Sequence, residues 1–258
     1  MGRFHRHDDG TVHTHEHDDH THDHDHGDHS GYRTGSQRVD VLQSIFAEND
    51  VRAGFNRKAF ESNSVRVINL MSSPGSGKTT VLQATLDELA GDIAVGVIEG
   101  DIATDMDAAK LGGRGAQISL LNTGNGFGGE CHLDAPMVNR ALQGLDLTRL
   151  DLVIIENVGN LVCPAEFDVG EHAKAMVYSV TEGDDKPLKY PVMFRAVDVV
   201  LLNKIDLVPY LEVDVDSYIA RVREVNATAT ILPVSARTGV GMADWFGWLR
   251  GFMAGAPT

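Results

Sequence analysis

A glycine-rich stretch, Ser72-Ser73-Pro74-Gly75-Ser76-Gly77-Lys78-Thr79, constrains the fold of this chain more than any other feature of its sequence. An apolar run over residues 65–71 precedes it, and a segment of helical composition begins at residue 80. A strand, a glycine-rich turn and a helix in this order form a P-loop, in which backbone N–H groups and the helix N-terminus surround a phosphate chain. Ser72 stands where the strict pattern has glycine. The stretch therefore predicts a nucleotide site in an α/β fold.

The side chains of this loop have distinct expected roles. Lys78 is expected to reach the β- and γ-phosphates, and the Thr79 hydroxyl is expected to hold Mg²⁺. Because phosphoryl transfer depends mainly on charge stabilisation, Lys78 is also a catalytic candidate. The other candidate nucleotide-binding positions of the loop are Gly75, Ser76, Gly77 and Thr80.

Two acidic residues follow predicted strands and are candidates for Mg²⁺ binding and catalysis. Asp101 comes just after the apolar segment 93–99, and Glu156 ends the apolar segment 151–156. Carboxylates at the carboxyl ends of parallel strands face the ligand crevice of the sheet. Asp101 is expected to bind Mg²⁺ or to orient the attacking water, with capping of the following segment as the alternative. Glu156 also opens the pattern acid-x-x-Gly, which is typical of a switch that senses a γ-phosphate.

A second motif indicates the base. Asn203-Lys204-Ile205-Asp206 follows the predicted strand 196–202, and this pattern selects guanine. Asp206 is expected to accept from the N1–H and 2-amino groups of guanine, and the Lys204 stem is expected to lie against the base. Asn203 is expected to take part in the recognition of guanine. Ser235-Ala236-Arg237 is typical of a loop whose backbone N–H contacts the base oxygen. The expected nucleotide is GTP or GDP.

Both cysteines of the chain and one histidine lie on loops after neighbouring predicted strands. Cys131 and His132 follow a glycine-rich loop, and Cys163 lies on the segment that begins at Glu156. Two thiolates and an imidazole are suitable ligands for Zn²⁺ or Ni²⁺. Three ligands leave a coordination position open, or two subunits could share one ion. The alternative is two buried cysteines and a surface histidine, since isolated cysteines are usually buried.

Residues 1–30 differ in composition from the rest of the chain. Ten of the twelve histidines lie there, interleaved with aspartates. We expect this segment to be disordered without a ligand, because it has almost no apolar surface to bury. Imidazoles suit Ni, Zn, Cu and Fe, so metal binding is expected; the alternative is a solubilising tail or a purification tag. The candidate nickel ligands are His13, His15, His17, His20, His22, His24 and His26.

Composition and spacing predict the domain organisation. A Gly/Ser-containing linker ends near residue 36, so we expect a tail with its linker over 1–36 and a GTPase domain over 37–258. Residues 133–142 are expected to form a helix, and the polar segment 182–191 a loop. Apolar residues at helical spacing predict one or two further helices that cover a sheet face: Val39, Leu42, Ile45, Phe46, Phe55, Ala59 and Phe60.

Composition also argues against several functional classes. The formal net charge of −15 argues against a nucleic-acid partner. No apolar run approaches the roughly 20 residues needed to span a bilayer, and the N-terminus lacks the apolar core of a secretion signal. Two cysteines make no disulfide framework. A cytoplasmic protein without a membrane or nucleic-acid partner is therefore expected.

Taken together, these motifs are similar to those of the HypB family of hydrogenase nickel-incorporation GTPases. This family belongs to the SIMIBI class of P-loop GTPases, which includes the urease accessory GTPases. The most specific parts are Cys131-His132-Leu133-Asp134-Ala135 and the run from Glu156 to Pro164, and the resemblance covers about residues 37–256. The sequence lacks the N-terminal Cys-x-x-Cys-Gly-Cys of some members, and residues 127–130 lengthen the loop before Cys131.

The resemblance implies a mainly parallel sheet with helices on both faces and slow hydrolysis of GTP to GDP and phosphate. It also implies a GTP-dependent homodimer with a Ni²⁺ or Zn²⁺ site of Cys131, His132 and Cys163 near the interface. Hydrolysis would control the delivery of nickel to a companion nickel chaperone of the HypA type and to the large subunit of a [NiFe] hydrogenase. The tail would store nickel.

Three other interpretations stay open at this point. The first is a urease accessory GTPase. That family carries Cys-Pro-His in the metal loop, whereas Cys163-Pro164 is followed here by Ala165. The second is a passive nickel or zinc buffer with a vestigial GTPase domain. The third is a plain regulatory GTPase, which would not need Cys131.

Overall fold

The computed structural model of the chain describes residues 5–6, 12–13, 34–100, 111–121 and 132–255, with the backbone alone for those before residue 44 and for residue 45. The chain divides into two units, Met1–Val41 and Leu42–Thr258. In the first unit, the short strands β1 (His5–Arg6) and β2 (Val12–His13) pair antiparallel. Helix α1 spans Thr34–Ser62, so it begins within the expected linker. The domain boundary after residue 36 stays a prediction.

The second unit contains a seven-stranded sheet whose described strand pairs are all parallel. The order across the sheet is β5-β4-β6-β3-β7-β8-β9. Its central strands are buried on both faces and therefore read as nearly continuous apolar runs. The strands are β3 (Arg66–Ser72), β4 (Val95–Glu99), β5 (Gln117–Leu120), β6 (Leu152–Glu156), β7 (Ala173–Ser179), β8 (Val199–Asn203) and β9 (Thr230–Pro233).

Strand β3 lies at the centre of this order. The chain places β4 and β6 on one side of β3 and then crosses to β7 on the other side. In open α/β sheets, ligands bind outside the carboxyl ends of the strands where the order reverses in this way. The glycine-rich loop leaves the carboxyl end of β3 and therefore lies at that position.

Helices cover both faces of the sheet, as expected from the resemblance. Further α-helices are α2 (Lys78–Leu89), α3 (Ala135–Ala141), α4 (Lys186–Lys189), α5 (Pro191–Arg195), α6 (Val215–Val225) and α7 (Met242–Met253). On one face, buried residues such as Leu82 of α2 and Trp245 of α7 share a core with Ile68 of β3. On the other face, Phe60 of α1 shares a core with Val67, the residue before Ile68 in the strand. Successive strand residues therefore supply the two cores, as the period of two of a β-strand requires.

The structure confirms the expected N-terminal helix, and it corrects the expected burial of one of its residues and the assignment of segment 182–191. The N-terminal apolar residues lie on one continuous helix, and although Phe60 is fully buried, Phe55 is 57% exposed. Segment 182–191 is not simply a loop, because it contains α4 and the start of α5. Pro187 and Pro191 lie in the first turns of these helices, where the missing proline N–H removes no intrahelical bond.

The helix predicted over 133–142 begins at Ala135. Asp134 caps it by accepting a hydrogen bond from the Met137 N–H at 2.7 Å. Within the described ranges, none of the helices combines the length and apolar character needed to cross a membrane.

Candidate nucleotide site

The loop between β3 and α2 has the backbone conformation that a phosphate cradle requires. Gly75 and Gly77 have φ values of +75° and +100°. This left-handed region disfavours any residue with a Cβ. At Gly77 a Cβ would also lie 2.5 Å from Asn203 Nδ2. The side chain of Asn203, the last residue of β8, therefore leaves room only for hydrogen there. On the other side, the Ser73 hydroxyl hydrogen-bonds the carboxylate of Glu182, in the short helix that follows β7.

Lys78, Thr79 and Glu156 meet at the end of this loop. Lys78 Nζ donates to Glu156 Oε1 at 2.7 Å, and the Thr79 hydroxyl donates to the same oxygen at 2.9 Å. The Lys78 side chain is 4% exposed and that of Glu156 is fully buried. The sequence predicted each of these residues for phosphate, Mg²⁺ or catalysis, and the structure brings all three together.

The donors present fit a Mg²⁺ ion. Glu156 Oε2 is buried and has no hydrogen-bond partner among the described residues. A buried carboxylate oxygen without a partner is costly, and carboxylate and hydroxyl oxygens are the ligands that Mg²⁺ takes from proteins. Glu156 and Thr79 are therefore the residues that would hold the ion.

The structure adds Glu99, which the sequence reasoning missed. Glu99 ends β4 and lies opposite Glu156 in the parallel register, with 8% of its surface exposed. Residues opposite each other in adjacent strands present their side chains to the same face of the sheet. The signal was the same as for Glu156, namely an apolar strand that ends in an acid. The sequence pattern favours Asp101 instead, which lies outside the described residues.

The segment after Glu156 approaches the glycine-rich loop. A Cβ on Gly159 would lie 3.3 Å from the Cα and N atoms of Pro74, so the two backbones are in close contact there. This placement agrees with a switch segment that senses the nucleotide from beside the phosphate loop.

The predicted base-binding residues surround one cleft of about 350 Å³ beside the phosphate loop. It is lined by Gly77, Thr80, Asn203, Lys204, Asp206, Leu207, Ala236 and Arg237. The Asp206 carboxylate accepts a hydrogen bond from the Ser235 hydroxyl at 2.7 Å, which orients it. Residues from three separate loops therefore form a single pocket of a size that suits a base.

Asn203 holds these loops together. Its Nδ2 donates to Ser76 O at 2.9 Å, and its Oδ1 accepts from the Ala236 N–H at 3.1 Å. Lys204, with φ of +66°, donates from Nζ to Gly75 O at 2.5 Å. The Asn203 amide is thus engaged with protein groups, which favours a role in joining the phosphate loop to the base loop.

The candidate thiolate and imidazole site is only partly described. The His132 ring stacks on Phe167 with centroids 4.1 Å apart, and Cys163 opens a short 3₁₀ helix, Cys163–Ala165. Among the described residues, no group of three His, Cys, Asp or Glu is placed to hold a metal ion. The predicted set stays a prediction, because Cys131 lies outside the described residues. So do the tail ligands His15, His17, His20, His22, His24 and His26, and only the backbone of His13 is described.

Comparisons with known proteins decide the family. The family described as CobW/HypB/UreG, nucleotide-binding domain, matches residues 66–233. Over 215 residues the chain is 51% identical to the hydrogenase maturation factor HypB of Azotobacter chroococcum mcd 1, which covers 83% of this chain and 69% of the relative. The chain belongs to the HypB family.

Solved structures of HypB proteins share this fold. The hydrogenase maturation factor HypB of Archaeoglobus fulgidus superposes with a TM-score of 0.74 at 35% identity, over 80% of this chain and 99% of that one. HypB of Helicobacter pylori, solved in complex with nickel, has the same TM-score and identity over 80% of this chain and 95% of that one. The fold that these HypB structures share with this chain therefore extends over most of its length.

Proposed function

We propose that this chain is a GTP-hydrolysing nickel metallochaperone that delivers Ni²⁺ during the maturation of a [NiFe] hydrogenase. The observation that carries the proposal is the course of residues 156–163. This segment begins at Glu156, which contacts Lys78 and Thr79, passes Pro74 at Gly159 and reaches the short helix at Cys163. One short stretch therefore extends from the nucleotide site to a candidate nickel ligand. The nickel complex of the Helicobacter pylori relative supports the choice of metal.

The reaction is attack of water on the γ-phosphorus of GTP, which breaks the bond to the β–γ bridging oxygen and yields GDP and phosphate. Lys78 stabilises negative charge on the phosphate oxygens, and the base cleft holds guanine through Asp206. Thr79 and Glu156, with Glu99 beside them, would hold Mg²⁺, which neutralises charge on the phosphates. Asp101 is the candidate to orient the water. Slow hydrolysis suits a timing role.

The nickel half of the proposal uses Cys131, His132 and Cys163 as ligands, with Zn²⁺ as the other candidate occupant. GTP would promote a homodimer, and the nickel would pass to a companion chaperone of the HypA type and to the hydrogenase large subunit. The histidines of residues 1–30 would store nickel. The setting we propose is the cytoplasm, where thiolates stay reduced.

Calorimetry tests the link between the two halves. We expect Ni²⁺ to change the dissociation constant of GDP by about 5- to 150-fold, the usual range of coupling between sites. The control is Cys163→Ser, which should abolish the nickel effect without changing GDP affinity in the absence of nickel. Because the control keeps the histidine-rich tail, it separates the Cys163 site from nickel bound elsewhere. Phosphate release should be measurable with GTP and absent with ATP.

Equal GDP affinity with and without Ni²⁺ would contradict the coupled mechanism. Release of phosphate from ATP as fast as from GTP would contradict the assignment of the base cleft. A nickel effect that persists unchanged in Cys163→Ser would move the metal site away from that residue.

A further inference from the structure

The side chain of Asn157 joins two segments that carry the proposed activity. It directly follows Glu156 and is fully buried. Its Oδ1 accepts a hydrogen bond from the Leu133 N–H at 3.1 Å and another from the Val158 N–H at 2.9 Å. Leu133 directly follows His132. One carboxamide therefore connects the backbone beside the Mg²⁺ carboxylate to the backbone beside a candidate nickel ligand.

The orientation of this amide is fixed by its neighbours. Both groups that face Oδ1 are N–H donors, so a reversed amide would place donors against donors. On the other side, Nδ2 donates to Asn69 Oδ1 at 3.1 Å, and Asn69 Nδ2 donates to Glu171 Oε1 at 3.4 Å. Asn69 lies on β3, in the central sheet. The Asn157 amide therefore bridges the central strand β3 and the two loop segments that lie at the carboxyl ends of the strands.

Leu133 also packs beside the end of β4, the strand that ends in Glu99. Its side chain is fully buried, and a Cβ on Gly100 would lie 2.4 Å from Leu133 Cδ1. Gly100 directly follows Glu99. Leu133 thus contacts the residues after both acids of the nucleotide site, through its N–H on one side and its side chain on the other. A displacement of Glu99 or Glu156 would therefore reach the segment that bears His132 through these contacts of Leu133.

We propose that Asn157 is a positioning residue that couples nickel binding to nucleotide binding. The inference rests on the proposed function, since it assigns the contact through which the two halves communicate. When Glu156 exchanges its bonds to Lys78 and Thr79 for others, Asn157 moves with the backbone. The Leu133 N–H and the adjacent His132 then move as well, because the hydrogen bond from the Leu133 N–H to Asn157 Oδ1 is buried. A contiguous chain of hydrogen bonds and packed side chains can carry coupling between two sites.

The test is the ratio of GDP dissociation constants without and with Ni²⁺, measured on the full chain. In the original sequence we expect this ratio to depart from one by about 5- to 150-fold, and in Asn157→Ala to lie within about twofold of one. Asn157→Ser is a second variant that keeps a polar atom in the buried space, and the same loss is expected. GDP affinity in the absence of nickel should change little in both.

The matched control is Asn56→Ala. Asn56 is also a fully buried carboxamide with three side-chain hydrogen bonds: to Ala135 O at 2.9 Å, to Val169 O at 3.1 Å and from Asn139 at 2.9 Å. Its loss should lower thermal stability as much as Asn157→Ala does, while the nickel effect on GDP affinity survives. A purely structural role for Asn157 predicts that the two variants behave alike.

The outcomes separate this inference from the proposed function. No nickel effect in the original sequence contradicts the proposed function itself. A nickel effect that persists at full size in a folded Asn157→Ala or Asn157→Ser variant overturns the role of Asn157 alone. Loss of the effect in Asn56→Ala as well would also overturn it, since any buried amide would then suffice.

Discussion

Gly75 and Gly77 are needed for different physical reasons, although both have positive φ. A Cβ on Gly75 would meet no atom of the described residues within 4 Å, whereas a Cβ on Gly77 would lie 2.5 Å from Asn203 Nδ2. Among the described residues, nothing but its backbone conformation therefore requires glycine at position 75. Gly77 is required by the conformation and by the approach of the side chain that joins the phosphate loop to the base loop.

We therefore predict that Gly77→Ala destabilises the nucleotide-free protein more than Gly75→Ala does. Each substitution places a Cβ in the left-handed region at a cost of about 1–2 kcal/mol. Gly77→Ala must also displace Asn203 from Ser76, for about 1 kcal/mol more. Urea unfolding at one pH measures both variants. Gly75→Ala is the matched control, and equal losses in the two variants would contradict the close approach.

The sequence could predict the identity of many site residues but not their partners. Lys78 and Thr79 have roles that follow from their positions in a short motif. Glu99 shows the limit, because it and Asp101 have the same chemistry after the same strand. Only the register of β4 against β6 places Glu99 beside Glu156. The contact of Asn157 with Leu133 is likewise a tertiary contact across 24 positions that no local pattern signals.

At the level of elements, the sequence predicts the buried strands well, but it does not predict the helices that begin at prolines. The apolar segments 65–71 and 151–156 correspond to β3 and β6 within one residue at each end, because buried parallel strands are continuous apolar runs. The loop predicted over 182–191 is wrong because proline is common both in loops and in the first turn of a helix. The difference depends on what the following residues pack against, which the sequence does not show.

His172 shows how one side chain can extend a strand pairing. It directly precedes β7, and its backbone N–H donates to Val67 O at 2.9 Å. Its Nδ1 in turn accepts from the Val67 N–H at 3.0 Å, which requires that nitrogen to be unprotonated. Burial lowers the pKa of His172 below its usual 6.5, and the positive charges of Arg66 and Arg57 lower it further, whereas Glu61 acts in the opposite direction.

We predict that this pairing weakens in acid. Because the folded pKa lies below the unfolded value of 6.5, His172 contributes stability that is present above pH 6.5 and is lost as pH falls through the folded pKa. His172→Asn provides an acceptor that does not titrate. The free energy of unfolding of the original sequence should therefore fall relative to that of His172→Asn between about pH 7 and pH 5.

Urea unfolding across this pH range measures the difference. Both proteins carry the same tail histidines, so the effects of the tail cancel in the comparison. A difference that stays constant with pH, or one that grows in favour of the original sequence in acid, would falsify the assignment of the titration to His172.

On the scale of the whole molecule, the order of the sheet is the property least accessible to local reasoning. Periodicity predicts that strands exist, and the resemblance predicted that they are parallel. The placement of β3 between β6 and β7 depends on crossovers that no window of sequence contains. Every described part of the nucleotide site lies in the second unit, Leu42–Thr258, whereas the histidine-rich segment belongs to the first, Met1–Val41.

We predict that this division separates nickel storage from nucleotide chemistry. Deletion of residues 1–33 removes ten of the twelve histidines and none of the described nucleotide-site residues. Metal analysis should therefore show at least a halving of the nickel bound per chain, because the deletion removes most of the imidazole ligands. The GDP dissociation constant without nickel should change by less than about twofold, since binding energy depends on contacts in the cleft.

A full-length variant tests whether the histidines or merely the length of the tail matter. Replacing its seven candidate ligands, His13, His15, His17, His20, His22, His24 and His26, by asparagine keeps the length and the aspartates. Because asparagine offers no imidazole nitrogen, this variant should lose nickel nearly as the deletion does. Equal nickel content in the original, deleted and substituted chains would contradict storage by the tail. If only the deletion loses nickel, the binding belongs to tail residues other than the seven replaced histidines, because the substituted chain keeps those residues and the deleted chain does not.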